Sequence, residues 1–122
     1  MAEELPAGVV VPQVDFEIQQ LTVGVLFEGP RRSEYADDAA QRLANEHLQY
    51  IIGLRAAGKL LGAGALIDAD AGQRLTGLGF STLPADELLP LLQLDPAVVA
   101  GMEAVKVVTF AFPKGMLAFP RG

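Results

Sequence analysis

The stretch EHLQYIIGLRAAGKLLGAGALID (Glu46–Asp68) joins the end of an amphipathic helix to a glycine-rich strand. Before and within it, apolar positions recur at spacings of three and four, which indicates one face of a helix over about residues 36–57. The members of this stripe are Ala40, Leu43, His47, Ile51 and Leu54. Gly58 then ends the helix as a C-terminal glycine cap does. The chain's only histidine therefore lies on the face that should pack against a core.

Two helical segments and four segments rich in β-forming residues follow one another in the order strand, helix, strand, strand, helix, strand. The β segments cover about residues 16–29, 59–68, 73–82 and 104–112. The second helix begins near Pro84, and Pro90 is expected to kink or split it. Asp95 before Pro96 is typical of a cap and first residue of a new helical turn, which Gly101 closes. This order predicts an α+β, ferredoxin-like βαββαβ fold, with an antiparallel sheet and both helices on one face.

The length of 122 residues suits a single domain. We expect a core over about residues 20–114, an extension over residues 1–15 and a tail over residues 115–122. The segment DADAG (Asp68–Gly72) is typical of a polar hairpin turn between the second and third strands. A calcium loop would require a glutamate at its twelfth position, where Gly79 stands.

The composition excludes several classes of function. The formal net charge of −6 disfavours binding to nucleic acid or to an anionic membrane surface. The chain has no apolar run long enough for a transmembrane helix, and its acidic N-terminus is unlike a signal peptide, so we predict a cytoplasmic protein. The absence of cysteine excludes disulfides and thiolate sites. With one histidine, we expect no bound transition metal and no cofactor, although an all-carboxylate magnesium site stays formally open.

The apolar content favours a homodimer. Hydrophobic residues make up 51% of the chain, and the mean hydropathy is +0.33. Because a small domain has a large surface relative to its volume, part of this apolar surface is expected to be covered by a second copy.

The glycines of the predicted strands share faces in pairs. Gly62 and Gly64 are two residues apart, as are Gly77 and Gly79, and Gly24 interrupts the first strand. Glycine in a strand often marks close approach to the backbone. The approaching group could be a partner sheet in a dimer or a small flat ligand. Neither GAGALI nor GLGFST is a dinucleotide fingerprint, because each lacks the third glycine.

His47 allows two interpretations. One is a neutral core histidine whose ring is hydrogen-bonded to a backbone carbonyl. The other is an acid or base oriented by a carboxylate. Asp95, Asp86 and Asp68 are the candidate carboxylates, and the pattern alone does not choose between them.

Four short motifs occur in order along the chain: His47-Leu48, Gly58-Lys59-Leu60-Leu61, Ala63-Gly64 and Asp95-Pro96. In order and approximate spacing they resemble the YciI-like (YCII-related) family over about residues 20–114. The resemblance implies a dimeric α/β barrel similar to muconolactone isomerase, with His47 and Asp95 as a catalytic dyad. Two positions depart from the family pattern. Ala65 replaces a proline, and Thr76, beside Gly77, is the nearest hydroxyl to a family Gly-Ser.

The resemblance also implies a class of function. One branch of the family eliminates chloride from a chlorinated hydroxyhydroquinone. We therefore predict a small-molecule enzyme, a lyase or isomerase without a cofactor, that uses His47 and Asp95 for acid/base elimination or isomerisation of a small cyclic or aromatic compound. The alternatives are a non-catalytic ligand-binding or interaction module of the same fold and a purely structural dimer.

The remaining candidates belong to the predicted substrate cleft. Its expected members are Gly62, Gly64, Gly77, Thr76 and Arg31. Arg31 and Arg32 could hold a substrate anion at the mouth of the cleft or form a solvated loop pair. Phe110 and Phe112 share one strand face, where core or dimer contacts are favoured over stacking on a substrate.

Overall fold

The computed structural model describes residue 8, residues 16–67 and residues 74–120. Four strands lie in these ranges: β1 (Ile18–Glu28), β2 (Gly62–Ala65), β3 (Leu75–Ser81) and β4 (Glu103–Pro113). Three helices accompany them: α1 (Asp37–Ala56), α2 (Ala85–Leu92) and α3 (Pro96–Val99), with a 3₁₀ turn (Arg32–Glu34) before α1. Apart from Gly8, the predicted N-terminal extension lies outside the described residues, and so does the DADAG turn.

The four strands form one antiparallel sheet in the order β2-β3-β1-β4. This order, with a helix between β1 and β2 and helices between β3 and β4, confirms the predicted α+β ferredoxin-like fold. In the register, Gly24 of β1 lies opposite both Gly79 of β3 and Val107 of β4, and Gly79 lies opposite Ala63 of β2. Residues directly opposite one another point to the same side of a sheet, so these four residues share one face.

The helices cover that face. Leu54, Leu60, Leu88 and Leu92 form a buried group, the Leu88 cluster, against which Val105 and Val107 of β4 pack. A second buried group, the Leu43 cluster, consists of Leu43, Ala97 and Met102 and joins α1 to α3. The predicted stripe of α1 therefore contributes Leu54 to one cluster and Leu43 to the other. None of the helices in the described parts of the chain is long and apolar enough to cross a membrane.

Local sequence explains the two ends of α1. The first turn carries Asp37 and Asp38, whose negative charges favour the positive end of the helix dipole. At the other end, Gly58 adopts a left-handed backbone conformation, with φ of +77°. This conformation strains residues with a Cβ, so the predicted glycine stop is confirmed.

The second strand is shorter than its predicted span of residues 59–68. The amide of Lys59 donates to the carbonyl of Leu54 and so closes α1 instead of starting the strand. On either side of β2, the described residues add one hydrogen bond each, from the amide of Leu61 to the carbonyl of Phe80 and from the amide of Leu66 to the carbonyl of Thr76. The first residues of the predicted strand therefore belong to the C-terminal cap of α1.

Pro90 does not split the second helix, contrary to that part of the expectation. The helix α2 runs through Pro90 to Leu92. A proline removes one hydrogen bond to the carbonyl four residues earlier, which is that of Asp86 in the first turn. The break before α3 comes instead at Gln93, and Asp95 caps the new turn with Pro96 as its first residue, as predicted.

Two glycines join the end of β1 to the end of α3. The amide of Gly29 donates to the carbonyl of Met102 at 2.9 Å, and the amide of Arg31 donates to the carbonyl of Gly101 at 2.9 Å. A Cβ built on Gly29 would overlap the Gly101 carbonyl oxygen, which is rigid backbone. This junction fixes the start of β4 beside the start of α1.

We expect Gly29→Ala to destabilise the protein by roughly 1–3 kcal/mol, because backbone would have to move to admit the methyl group. Gly53→Ala is the matched control, because Gly53 lies inside α1 and an added Cβ meets no atom within 4 Å. It should stabilise the protein by about 0.5–1 kcal/mol through helix propensity. Urea unfolding of both variants measures the two changes, and a stable Gly29→Ala protein would contradict the described junction.

Candidate active site

His47 lies in the middle of α1, between the Leu88 cluster and the Leu43 cluster. Its side chain is 23% exposed, so it is neither sealed in the core nor solvated. The ring nitrogen Nδ1 is in hydrogen-bonding contact with Oδ2 of Asp95. The first interpretation from the sequence, a ring bonded to a backbone carbonyl, is therefore wrong, and of the three candidate carboxylates the partner is Asp95. Asp86 lies in the first turn of α2, and Asp68 is outside the described residues.

Asp95 has two structural duties at once. Its other oxygen, Oδ1, accepts a hydrogen bond of 2.9 Å from the amide of Ala97 and so caps α3. The residue is 1% exposed. A buried carboxylate is costly unless its oxygens are hydrogen-bonded, and here one oxygen faces a helix N-terminus while the other faces an imidazole.

This contact determines the protonation chemistry of the histidine. The hydrogen bond to the Asp95 carboxylate raises the pKa of His47 above its ordinary value of 6.5, partial burial opposes the rise, and the charges of Asp95 and Glu103 add to it. In the neutral ring, the carboxylate favours the tautomer with a proton on Nδ1. The second nitrogen, Nε2, then carries the free lone pair, which is the arrangement that a general base requires.

The histidine opens onto an apolar cavity of about 290 Å³ between α1 and the sheet. Glycine and alanine form its floor, with Gly24, Ala63, Ala65, Gly77 and Gly79. Leucine and isoleucine form most of its walls, with Leu26, Leu48, Ile51, Leu60 and Leu92. His47, Thr76 and Glu103 supply the polar side chains. We call these three residues the polar corner.

The small residues of the floor keep the cavity open. A Cβ built on Gly24 would lie 2.5 Å from Cδ1 of Leu92, and one on Gly77 would lie 3.0 Å from the Gly64 carbonyl oxygen. Both glycines of the second strand lie on the sheet face opposite the helices, because Gly62 pairs with Phe80 and Gly64 with Leu78. Gly64 still lines the cavity through its backbone, whereas a Cβ on Gly62 would lie near the ring of Phe119. The ligand-floor interpretation of the glycines thus agrees with Gly24, Gly77 and Gly79, which share the helix-covered face. Of the two predicted glycines of β2, only Gly64 reaches the cavity, and it does so with its backbone.

A second, more polar cavity of about 370 Å³ adjoins the first. Its polar lining consists of Arg32, Asp37, Gln41, His47 and Glu103. His47 and Glu103 line both cavities. The Glu103 carboxylate accepts hydrogen bonds of 2.8 Å from Nη1 of Arg32 and 2.8 Å from the hydroxyl of Thr76. The two cavities therefore adjoin at His47 and Glu103, and we call them together the cleft, with an apolar part and a polar part.

Some of the predicted residues lie elsewhere. Arg31 pairs with Glu34 at 3.2 Å, lies over the ring of Tyr35 and lines neither cavity. Phe110 and Phe112 stack on each other at a centroid distance of 5.5 Å. Their register places them on the sheet face opposite the helices, away from the cleft.

Glu103 was not among the residues singled out from the sequence. A signal was present in EAVKVV (residues 103–108), where Glu103 shares its strand face with Val105 and Val107. A carboxylate on an otherwise apolar face that packs against helices is unusual enough to mark a candidate site. In the described ranges, no three histidine or carboxylate side chains converge as a metal site would require.

Comparisons with known proteins do not assign a family. No family model matches the chain, and no curated protein does. Among solved structures, the chain is similar to 5-chloro-2-hydroxyhydroquinone dehydrochlorinase (TftG) from Burkholderia phenoliruptrix AC1100 in complex with 2,5-dihydroxybenzoquinone, with 21% identity over 75% of this chain and 90% of that chain and a TM-score of 0.45.

The chain is also similar to a de novo designed protein, Ferredog-Diesel, with 11% identity over 86% of this chain and 99% of that chain and a TM-score of 0.42. Neither likeness bears on what this chain does. Membership of the YciI-like family stays a prediction from the sequence motifs.

The raised pKa of His47 predicts how stability depends on pH. A group whose pKa is higher in the folded than in the unfolded state stabilises the fold below its unfolded pKa, and this contribution is lost as the pH rises through the folded pKa. We therefore expect the melting temperature of the wild type, relative to His47→Gln, to be highest below pH 6.5 and to decrease above it.

Scanning calorimetry between pH 5.5 and 9 measures this difference. His47→Gln is a clean reference because no other histidine titrates in this range. A wild-type advantage that grows with pH would instead indicate a histidine buried in its neutral form.

Proposed function

We propose that the protein is a small-molecule enzyme in which His47 removes a proton from a compound bound in the cleft and Asp95 orients the ring and stabilises the imidazolium that forms. The contact between Nδ1 of His47 and the buried carboxylate of Asp95, at the end of an apolar cavity, is the observation that carries this proposal. The motif resemblance to the YciI-like family supports the same two residues.

The chemistry follows from the two nitrogens of the ring. Nδ1 is held by Asp95, so Nε2 accepts the proton, and the positive charge then lies next to a carboxylate in a partly desolvated site. Loss of a proton from carbon leads to elimination when a neighbouring bond breaks, or to isomerisation when the proton returns at another position. Such proton transfer needs no cofactor and accelerates a reaction by roughly 10²–10⁴-fold, which suits an activated substrate.

The cavity defines the kind of substrate. A volume of about 290 Å³ is at the lower end of the range of roughly 300–1,000 Å³ typical of ligand pockets. The flat glycine and alanine floor and the leucine and isoleucine walls favour a small, flat, apolar ring. Its reactive position would lie next to His47, where the polar part of the cleft begins.

The homodimer and the cytoplasmic location stay predictions from the composition. One observation supports the homodimer. Val108 and Phe110 are 44% and 43% exposed on the sheet face opposite the helices, where a second copy would remove them from water. Sedimentation equilibrium measures this directly.

A probe reaction tests the base without knowledge of the natural substrate. In 5-nitro-1,2-benzisoxazole, removal of the ring C–H proton forms a nitrile, breaks the N–O bond and releases a coloured phenolate. We expect the wild type to accelerate this ring opening and His47→Ala to lose about a hundredfold of the acceleration. Because only the neutral ring accepts a proton, the rate should rise with pH and reach half its maximum above pH 6.5.

The proposal requires the imidazole to lie in the cleft, so the control variant moves it to the outer surface of α1. Gln49 lies two residues after His47 on the exposed surface of α1. The double variant His47→Ala/Gln49→His should stay as slow as His47→Ala. Full activity in His47→Ala would refute the proposal. Stabilisation of the wild type by the probe without ring opening would instead favour the non-catalytic binding module.

A further inference from the structure

The polar corner of the apolar cavity offers hydrogen-bond acceptors almost exclusively. Glu103, as a carboxylate, has only acceptor oxygens. The Thr76 hydroxyl has already given its proton to Glu103 and keeps only its lone pairs. Neutral His47 presents the lone pair of Nε2, since Nδ1 faces Asp95. A molecule in this cavity therefore meets three acceptors.

Glu103 has capacity left for a ligand. A carboxylate provides about four acceptor positions. Arg32 occupies one on Oε1, and Thr76 occupies one on Oε2. The side chain is 11% exposed, and both cavities reach it. The remaining acceptor capacity is thus open to the cleft.

The position of Glu103 also brings two carboxylates together. The register of β1 and β4 places it directly opposite Glu28, and like charges opposite each other destabilise a sheet. Arg32 contacts both carboxylates, at 2.8 Å for Glu103 and 3.8 Å for Glu28, and Arg74 contacts Glu28 at 3.1 Å. A valine, as at the next two positions on this face, would avoid the repulsion. Violations of local rules of this kind concentrate at functional sites.

We propose that Glu103 is a specificity-determining residue of the cleft, which accepts a hydrogen bond from a hydroxyl or amine group of the bound molecule and excludes molecules that present a carboxylate there. The proposal rests on the proposed function in placing the substrate beside His47. Arg32 lines only the polar cavity, so a carboxylate in the apolar cavity would face Glu103 without direct contact to the guanidinium.

Three small probes test the selection. Benzyl alcohol and anisole are isomers, and only the alcohol can donate a hydrogen bond, while benzoate has a similar frame and a negative charge. At pH 8.5 we expect the wild type to bind benzyl alcohol about tenfold more tightly than anisole, as a hydrogen bond to a charged group allows, and benzoate more weakly than either. The ¹H–¹⁵N signals of the single imidazole report binding of each probe.

The variants separate a binding role from a structural one. Glu103→Gln should reduce the preference for the alcohol over anisole to about threefold or less, because a neutral acceptor is weaker. A merely structural role would change the affinities for benzyl alcohol and anisole together and leave their ratio unchanged. Glu28→Gln is the matched control, because it makes the same change on the opposite strand outside both cavities, and it should keep the tenfold preference.

Glu103→Asp keeps the charge but withdraws the carboxylate by one methylene, and it serves where Glu103→Gln does not fold, with the same loss of preference expected. An unchanged ratio in the Glu103 variants, an equal loss in Glu28→Gln, or no preference or no binding in the wild type would overturn the proposal. These ratios involve no turnover. The proposed role of Glu103 can therefore be refuted while His47-dependent ring opening is observed, and ring opening can be absent while the binding preference is observed.

Discussion

The buried carboxylate of Asp95 is the constraint around which the site is arranged. A charge with 1% exposure needs partners for both of its oxygens, and this one has the amide of Ala97 on one side and the ring of His47 on the other. The first partner fixes where α3 begins, and the second fixes how α1 is rotated above it. A residue that looks like an ordinary helix cap thereby also sets the tautomer and basicity of the only histidine in the chain.

The cleft exists because the strands beneath α1 carry small residues. The stripe of α1 would pack continuously on the sheet if the strands carried large side chains beneath it. They carry glycine and alanine there, so the Leu88 cluster and the Leu43 cluster remain separate, and His47 stands between them. Because the gap is apolar on one side and polar on the other, a bound molecule would be oriented by its own polarity.

Much of the fold follows from local patterns in the sequence. The stripe of α1, its glycine stop and the Asp95-Pro96 turn depend on neighbours within a few residues, and each was confirmed. The length of the second strand was not predictable in this way, because the cap of α1 competes for its first residues. The continuation of α2 through Pro90 has a similar cause, since one lost hydrogen bond near the helix start is a small local penalty that packing of the Leu88 cluster can offset.

The site was less accessible to such reasoning. His47 and Asp95 are 48 residues apart and on different elements, so only the motif resemblance connected them, and their catalytic role stays a prediction. The alternation of side chains along a strand groups Gly62 with Gly64 and Gly77 with Gly79. It does not show which pair faces the helices, because that depends on strand pairing across the sheet. Glu103 was recognisable only once the register showed which face of β4 is covered.

The most direct test of the account is the pKa of His47, measured by NMR titration of its ring in the wild type and in Asp95→Asn. Asparagine caps a helix about as well as aspartate, so this substitution removes the charge while it keeps α3. We expect a wild-type pKa above 6.5 that falls in the variant. A wild-type pKa at or below 6.5, or a raised value that Asp95→Asn does not change, would contradict it.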